Sequence, residues 1–203
     1  TIPASSRKGI NVVELPMTYP APLSPKSEVG GAFGTFRGPL LAVGNYALEL
    51  DKAGSIATAS IAVIPDTTLG HREQDIRLQQ ETVMAMYETY EDLAVTTERV
   101  QTLMKSLQVD TITADAGALL DSLTRLSKTL VNTKQGVVTG EEQLREKLSS
   151  LYGEVQGYLG RPGATQLAMF EQIRKKVEEA RVACERLAFG KLSESRAETY
   201  ARM

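Results

Sequence analysis

The sequence predicts an α+β chain in which a small antiparallel β segment, a partial β-sandwich, is followed by an antiparallel bundle of about four long helices. Two observations predict this class. Seven of the eight prolines precede Asp66, and only Pro162 follows it. At the same point the spacing of apolar residues changes from the alternation typical of strands to the threes and fours typical of helices. We therefore assign residues 1–66 to the β segment and residues 67–203 to the helical bundle.

Four short segments before Asp66 have the composition of strands, namely "INVVELPM", "TFRGPLLAV", "NYALELD" and "SIATASIAVI". In the third, Tyr46, Leu48 and Leu50 share one face, which predicts a strand buried on one side. The turn "DKAGS" places Gly54 where a positive φ is needed, so the last two segments predict a hairpin. The stretch "TYPAPLSPKSEVGGAFG" is too rich in proline and glycine for regular structure and predicts a long loop.

The rest of the chain predicts four helices. Their apolar stripes lie at about residues 72–107, 114–132, 144–159 and 165–188. The first stripe implies a helix of about 35 residues, or about 50 Å. Thr139 and Glu142 have the spacing of a capping box, which predicts the start of the third helix. The stretch "GRPGAT" separates the third helix from the fourth. Short connections between helices predict antiparallel neighbours.

Composition removes several classes of partner and site. The formal net charge is −2 and positive and negative residues are interleaved. The sequence therefore shows no basic cluster of the kind that binds nucleic acid or an anionic membrane surface. The chain has no run of about 18 apolar residues that would encode a membrane span. Cys184 is the only cysteine, which excludes an internal disulfide and a multi-cysteine metal site. We expect no metal, no cofactor and no catalytic residue in this chain.

The polar residues that could carry chemistry have simpler structural explanations. His71, the only histidine, could be a catalytic base or a metal ligand, but it also suits the first turn of a long helix, which we favour. Paired carboxylates serve glycoside hydrolysis when one has a raised pKa. Glu88, Glu91, Asp92 and Glu98 instead alternate with an apolar stripe, which favours a solvated helix face.

Five apolar or aromatic side chains are the candidate interaction residues: Tyr46, Leu48 and Leu50 on the predicted hairpin, and Tyr87 and Tyr90 on the first long helix. The hairpin residues form an apolar face that two strands alone cannot bury. The two tyrosines could line a groove, although core packing with tyrosine tips at the surface is the preferred interpretation.

Three short motifs of the β segment follow one another in an order found in a known family. They are Lys8, Gly9 and Asn11 at the start of the first strand segment, Gly44, Tyr46, Leu48 and Leu50 in and just before the third, and Pro65 with Asp66 directly after the fourth. In these motifs the chain resembles large secreted bacterial proteins with BNR or sortilin-like β-propeller repeats, often described as glycosyl hydrolases. The chain departs from the family pattern because it has no Trp, Asn45 replaces the usual Thr, and the family's Asp-Pro appears inverted.

The resemblance implies a fibronectin-type-III-like sandwich before the helices, and a secreted, periplasmic or cell-surface location in a bacterium. Such a sandwich needs about seven strands, and the sequence offers four. The chain also opens on "TIPASSRKGINVVEL" without an initiator Met, which looks like a processed or excised segment. We therefore expect the missing strands to come from the remainder of a parent polypeptide or from a partner chain.

The leading functional expectation is a non-catalytic accessory or scaffold region of a larger secreted or surface protein, which mediates domain packing or protein–protein contact. The first alternative is a stand-alone interaction module that oligomerises. The second is part of a glycan-acting hydrolase whose active site lies in an upstream propeller; the propeller has no counterpart in these 203 residues.

Overall fold

The computed structural model describes residues 2–26, 37–66, 68, 70–109, 114–131 and 143–201. The predicted α+β class is confirmed, because a two-stranded antiparallel sheet precedes four helices. The strands are β1 (Gly44–Lys52) and β2 (Ser55–Val63). The helices are α1 (Glu73–Val109), α2 (Ala114–Leu130), α3 (Leu144–Gln156) and α4 (Ala164–Ala201).

The predicted hairpin is confirmed. The strands pair antiparallel, with Leu48 opposite Ala59 and Lys52 opposite Ser55, so the connection is a two-residue turn. Both turn residues have positive φ, 53° at Ala53 and 87° at Gly54, as a type I′ turn requires. The Gly54 amide also donates to Asp51 Oδ1 at 2.9 Å. The expected positive φ at Gly54 is therefore present, and Ala53 adopts one as well despite its Cβ.

The first two strand candidates do not form strands in the described residues. Residues 10–17 have no regular structure, and the only pairing outside the hairpin is an isolated bridge between Thr18 and Leu40. Two hydrogen bonds flank this bridge, from Tyr19 N to Pro39 O and from Leu41 N to Met17 O. Pro39 has no amide hydrogen with which to return a bond to Tyr19 O, which weakens the pairing on that side of the bridge.

All four predicted helices are present, but their lengths are unequal. α1 and α4 contain 37 and 38 residues, whereas α2 and α3 contain 17 and 13. The predicted capping box of Thr139 and Glu142 lies outside the described residues. α3 itself begins at Leu144, after Gln143 in the left-handed conformation with φ 57°. None of the helices in the described ranges is long and apolar enough to cross a membrane.

One apolar core joins all four helices, since α1 and α4 each contact the other three. Its fully buried side chains include Met86, Leu93 and Val100 of α1, Leu123 of α2, and Leu144 and Leu148 of α3. Contacts between polar side chains give the helix directions.

At one end of the core, Gln79 Nε2 donates to Val155 O at 2.9 Å, so the start of α1 lies beside the end of α3. Arg161 lies 3.7 Å from Asp75, and Glu185 lies 4.0 Å from Arg99. The segment leading into α4 therefore begins beside the start of α1, and α4 then runs in the same direction as α1.

Candidate functional site

The hairpin has one apolar face, formed by alternate residues of both strands. β1 contributes the three predicted residues, Tyr46, Leu48 and Leu50, and β2 places Ile61, Ala59 and Ala57 directly opposite them. The other face carries most of the polar residues, including Glu49 opposite Thr58, together with Ala47, Ile56 and Ala62. This alternation is what a sheet shows when one of its faces is packed against another layer.

No such layer covers the hairpin in the described part of the chain. Neither strand has a Cα atom within 8 Å of a helix Cα atom. Leu50 is 55% exposed, and Ala57 and Ala59 are also exposed. Tyr46 and Leu48 are half-buried, and the Tyr46 hydroxyl donates to Ala42 O at 2.7 Å. The apolar face of the hairpin is therefore open to solvent.

Exposed apolar side chains are concentrated in this region of the molecule. Among the residues whose exposure the structure describes, eleven of the fifteen exposed large apolar residues precede Asp66, although that part is only about a third of the chain. Ile10 and Val12 are 99% and 86% exposed, and Ile64 is 79% exposed. Scattered exposed apolar residues need no explanation, whereas contiguous exposed patches are a common feature of interaction surfaces.

An open apolar pocket of about 200 Å³ lies where the hairpin meets the helices. Met17, Leu40 and Ile64 line one side, and His71, Ile76 and Gln80 of the junction and α1 line the other. The Val43 amide donates to Gln80 Oε1 at 3.2 Å, which ties the start of the hairpin to α1. The pocket is continuous with the exposed apolar residues around Ile64 and extends that surface to the base of the hairpin.

His71 lies just before α1 rather than in its first turn, and its ring meets the edge of Tyr158. The two ring centroids are 5.3 Å apart and the planes are inclined by 81°, a T-shaped contact. Among the described residues, no group of three or more His, Cys, Asp and Glu side chains could hold a metal ion. The histidine therefore contributes an aromatic contact at the junction of hairpin and helices.

Residues 18–26 and 37–43, which we call the strap, lie across α1 and α3. Helix side chains hold the strap through its backbone. In the first part, Leu23 N donates to Glu91 at 3.4 Å and Gln101 donates to Lys26 O at 2.8 Å. In the second part, Tyr152 donates to Arg37 O and Gln156 to Gly38 O, each at 2.9 Å.

The two predicted tyrosines of α1 have different environments. Tyr90 is only 3% exposed, and its hydroxyl lies 3.4 Å from Ser24 Oγ of the strap. Tyr87 is half-buried beside the core. Burial raises the pKa of both phenols, and the Glu91 carboxylate raises the pKa of Tyr87 further. Tyr90 is thus in contact with a segment of its own chain.

Two of the acidic residues on α1 also contact the strap. Glu91 accepts the Leu23 amide, and Glu98 lies 3.6 Å from Lys26 Nζ in an exposed ion pair. Glu88 and Asp92 are exposed on the same helix. The predicted solvated face is therefore present, and two of its members additionally bind the strap.

A buried ion pair lies beneath the strap at the start of α3. The side chains of Arg145 and Glu146 are 12% and 13% exposed, and Arg145 Nε donates to Glu146 Oε1 at 2.8 Å. Arg145 Nη1 also reaches Pro25 O at 3.4 Å. Glu146 Oε2 is buried and has no hydrogen-bond partner in the described part of the chain. Sequence reasoning missed this pair, because adjacent helical residues do not ordinarily face each other.

Comparison with protein-family models, with curated proteins and with solved structures finds no significant match for this chain. Its function is therefore inferred from the surfaces just described.

Proposed function

We propose that this chain is a non-catalytic scaffold or accessory region of a larger protein, and that it makes protein–protein or domain–domain contact through the apolar face of its hairpin. The observation that supports this proposal is the open face formed by Tyr46, Leu48 and Leu50 with Ala57 and Ala59. An isolated two-stranded hairpin is marginally stable in water. A second sheet layer over this face would stabilise it.

The size of the face indicates what kind of partner is needed. Two strands of nine residues, at about 3.4 Å per residue and about 4.8 Å between strands, present a face of about 300 Å². A standard interface buries about 800 Å² on each partner. The partner should therefore also cover the neighbouring apolar surface near Met17, Leu40 and Ile64.

The resemblance of the β segment supplies the proposed partner. In a fibronectin-type-III-like sandwich, the hairpin would be one edge of a two-layer sheet. The other strands would come from a parent polypeptide or a separate chain, in a secreted, periplasmic or cell-surface protein of the β-propeller family. We further propose that the helices pack as a bundle, in which α2 and α3 together run antiparallel to α1 and α4.

The first experiment compares two lysine substitutions on the same strand. Leu48→Lys puts a charge on the apolar face, and Ala47→Lys puts the same charge on the opposite face. We expect the wild-type chain to associate in sedimentation velocity and to bind a dye specific for exposed apolar surface. Leu48→Lys should reduce both signals severalfold, and Ala47→Lys should leave them unchanged.

A wild-type chain that sediments as a monomer, binds no dye and melts cooperatively would contradict the proposal. The origin of the partner is tested separately by the reading frame upstream of Thr1. Repeated Ser-x-Asp-x-Gly-x-x-Trp boxes in that frame would support a propeller parent. A start codon or signal peptide immediately before Thr1 would favour the stand-alone oligomerising module.

A further inference from the structure

The first part of the strap has a burial pattern with a period of three. Pro22 and Pro25 are buried, whereas Ala21, Leu23 and Ser24 between and beside them are exposed. Tyr19, three residues before Pro22, is half-buried. A polyproline II helix has three residues per turn, so residues 19, 22 and 25 would lie on one face of it. The sequence Pro22-Leu23-Ser24-Pro25 is a P-x-x-P segment with both prolines turned to the protein.

The helices contact this segment mainly through its backbone. Lys26 O accepts from Gln101 of α1, and Pro25 O accepts from Arg145 of α3. The Leu23 amide donates to Glu91 of α1 at 3.4 Å. The Ser24 hydroxyl of the strap also lies 3.4 Å from the Tyr90 hydroxyl. Burial of prolines at a three-residue spacing, as in a polyproline II segment docked in a groove, is how proline-rich peptides are recognised, and here helix side chains also bind the backbone of the segment.

We propose that the groove between α1 and α3 is a recognition site for an extended proline-rich peptide, which this chain fills with its own residues 19–26. The partner is a P-x-x-P segment of another polypeptide, in which the two residues between the prolines would face solvent as Leu23 and Ser24 do in the strap. The groove binds the peptide through its backbone and its two prolines, so the peptide needs no charged side chain for binding. This site lies on the helices and is separate from the hairpin face of the proposed function.

The contacts of the strap are suited to replacement. Three of them are long at 3.4 Å, namely those of Leu23 N with Glu91, Ser24 with Tyr90 and Pro25 O with Arg145. The Lys26 pair with Glu98 is solvent-exposed. A tethered segment still competes at an effective concentration of the order of millimolar. A free peptide should therefore bind weakly to the wild-type chain and more tightly to a chain whose own strap is impaired.

The test uses the full chain and a fluorescent peptide with the sequence of residues 18–26, TYPAPLSPK. The double substitution Pro22→Ser with Pro25→Ser impairs the strap, and Pro20→Ser, at an exposed proline, is the matched control. We expect fluorescence polarisation to give at least tenfold tighter binding to the double variant than to the wild type. Pro20→Ser should behave as the wild type, and a peptide with serine in place of its last two prolines should not bind.

The proposal is overturned if the double variant is folded but shows no saturable peptide binding up to about 5 mM. This limit is chosen because the tethered strap acts at an effective concentration of the order of millimolar. If the double variant does not fold, hydrogen exchange of the wild-type chain replaces it. Excess unlabelled peptide should accelerate exchange of the Leu23 amide, and the serine-substituted peptide should not. Unchanged exchange at that amide would overturn the proposal. A dimer in which each chain places its strap in the groove of the other would support it, because the groove would then hold a segment of a second polypeptide.

Discussion

The buried pair of Arg145 and Glu146 allows a quantitative prediction, because each side chain is only about one-eighth exposed. At a charge separation of about 4 Å and an effective dielectric constant near 20, the attraction is about 4 kcal/mol before desolvation is subtracted. Removing one partner leaves the other as an uncompensated buried charge, which typically costs 3–5 kcal/mol. We expect Arg145→Met and Glu146→Leu each to lower the free energy of unfolding by about 3 kcal/mol.

The double variant provides the sharper test. Replacing both charges with apolar side chains removes the desolvation penalty together with the attraction, and Glu146 Oε2 no longer lacks a partner. The double variant should therefore lose no more stability than either single variant, which corresponds to a coupling energy of about 3 kcal/mol. Urea unfolding followed by far-UV circular dichroism measures all four free energies.

The exposed pair of Glu171 and Arg174 on α4 is the matched control, with both side chains 58% exposed and a separation of 2.7 Å. The equivalent substitutions there, Arg174→Met and Glu171→Leu, should leave the urea midpoint nearly unchanged, because solvent screens such pairs. If the losses at Arg145 and Glu146 simply add to about 6 kcal/mol, the argument from mutual burial is refuted.

Three further predictions concern the core, the strap and pH. Met86→Ala should cost about 3 kcal/mol in urea unfolding because its side chain is fully buried, and Met169→Ala, at a 47% exposed position, should cost far less. Gly38→Ala should lower the free energy of unfolding by about 2 kcal/mol, since the new Cβ would overlap Tyr19 O. Gly44→Ala is the control, because a Cβ there meets nothing within 4 Å. Equal melting points of the two variants would contradict this prediction. Burial raises the pKa of Tyr152 above that of an unfolded tyrosine, near 10, so the unfolded chain loses its proton first. The contribution of Tyr152 to stability should be constant below pH 10 and fall above it by up to about 1.4 kcal/mol per pH unit, so the alkaline loss of stability should be shallower in Tyr152→Phe than in the wild type.

Local periodicity was sufficient to predict the helices and the hairpin. α1 follows an apolar stripe that includes Val83, Met86 and Leu93, all buried as its spacing requires. The hairpin follows from alternation at Tyr46, Leu48 and Leu50 with the turn at Gly54. Both patterns are defined by residues close together in the sequence, so they predict these elements without knowledge of the contacts made by the rest of the chain.

Ion-pair partners were predicted less well, because several partners lie within reach of one long side chain. The four-residue spacing with Glu first predicts a pair of Glu171 with Lys175. In the structure Glu171 instead pairs with Arg174, and Lys175 lies 3.9 Å from Glu179. The spacing also predicts a pair of Glu141 with Arg145. Glu141 lies outside the described residues, and Arg145 pairs with Glu146.

The strap could not be predicted, since its contacts join residues far apart in the sequence. Ser24 meets Tyr90 across 66 positions, and Pro25 meets Arg145 across 120. The proline-rich stretch predicted only an irregular loop. A local signal was nevertheless present in the three-residue spacing of Pro22 and Pro25, which matches the polyproline II period. Two strand candidates failed for the related reason that a strand needs a partner, which propensity alone does not supply.

The strap and the hairpin are mechanically connected. The strap ends at Val43, where the backbone amide binds Gln80, and β1 starts at the next residue. The contacts of Tyr152 and Gln156 with Arg37 and Gly38 anchor the strap to α3 just before that point. In the described residues, these hydrogen bonds and the ring contact between His71 and Tyr158 connect the hairpin to the helices. Loosening the strap should therefore change the orientation of the apolar face without unfolding either strand, which would couple occupancy of the groove to presentation of the hairpin.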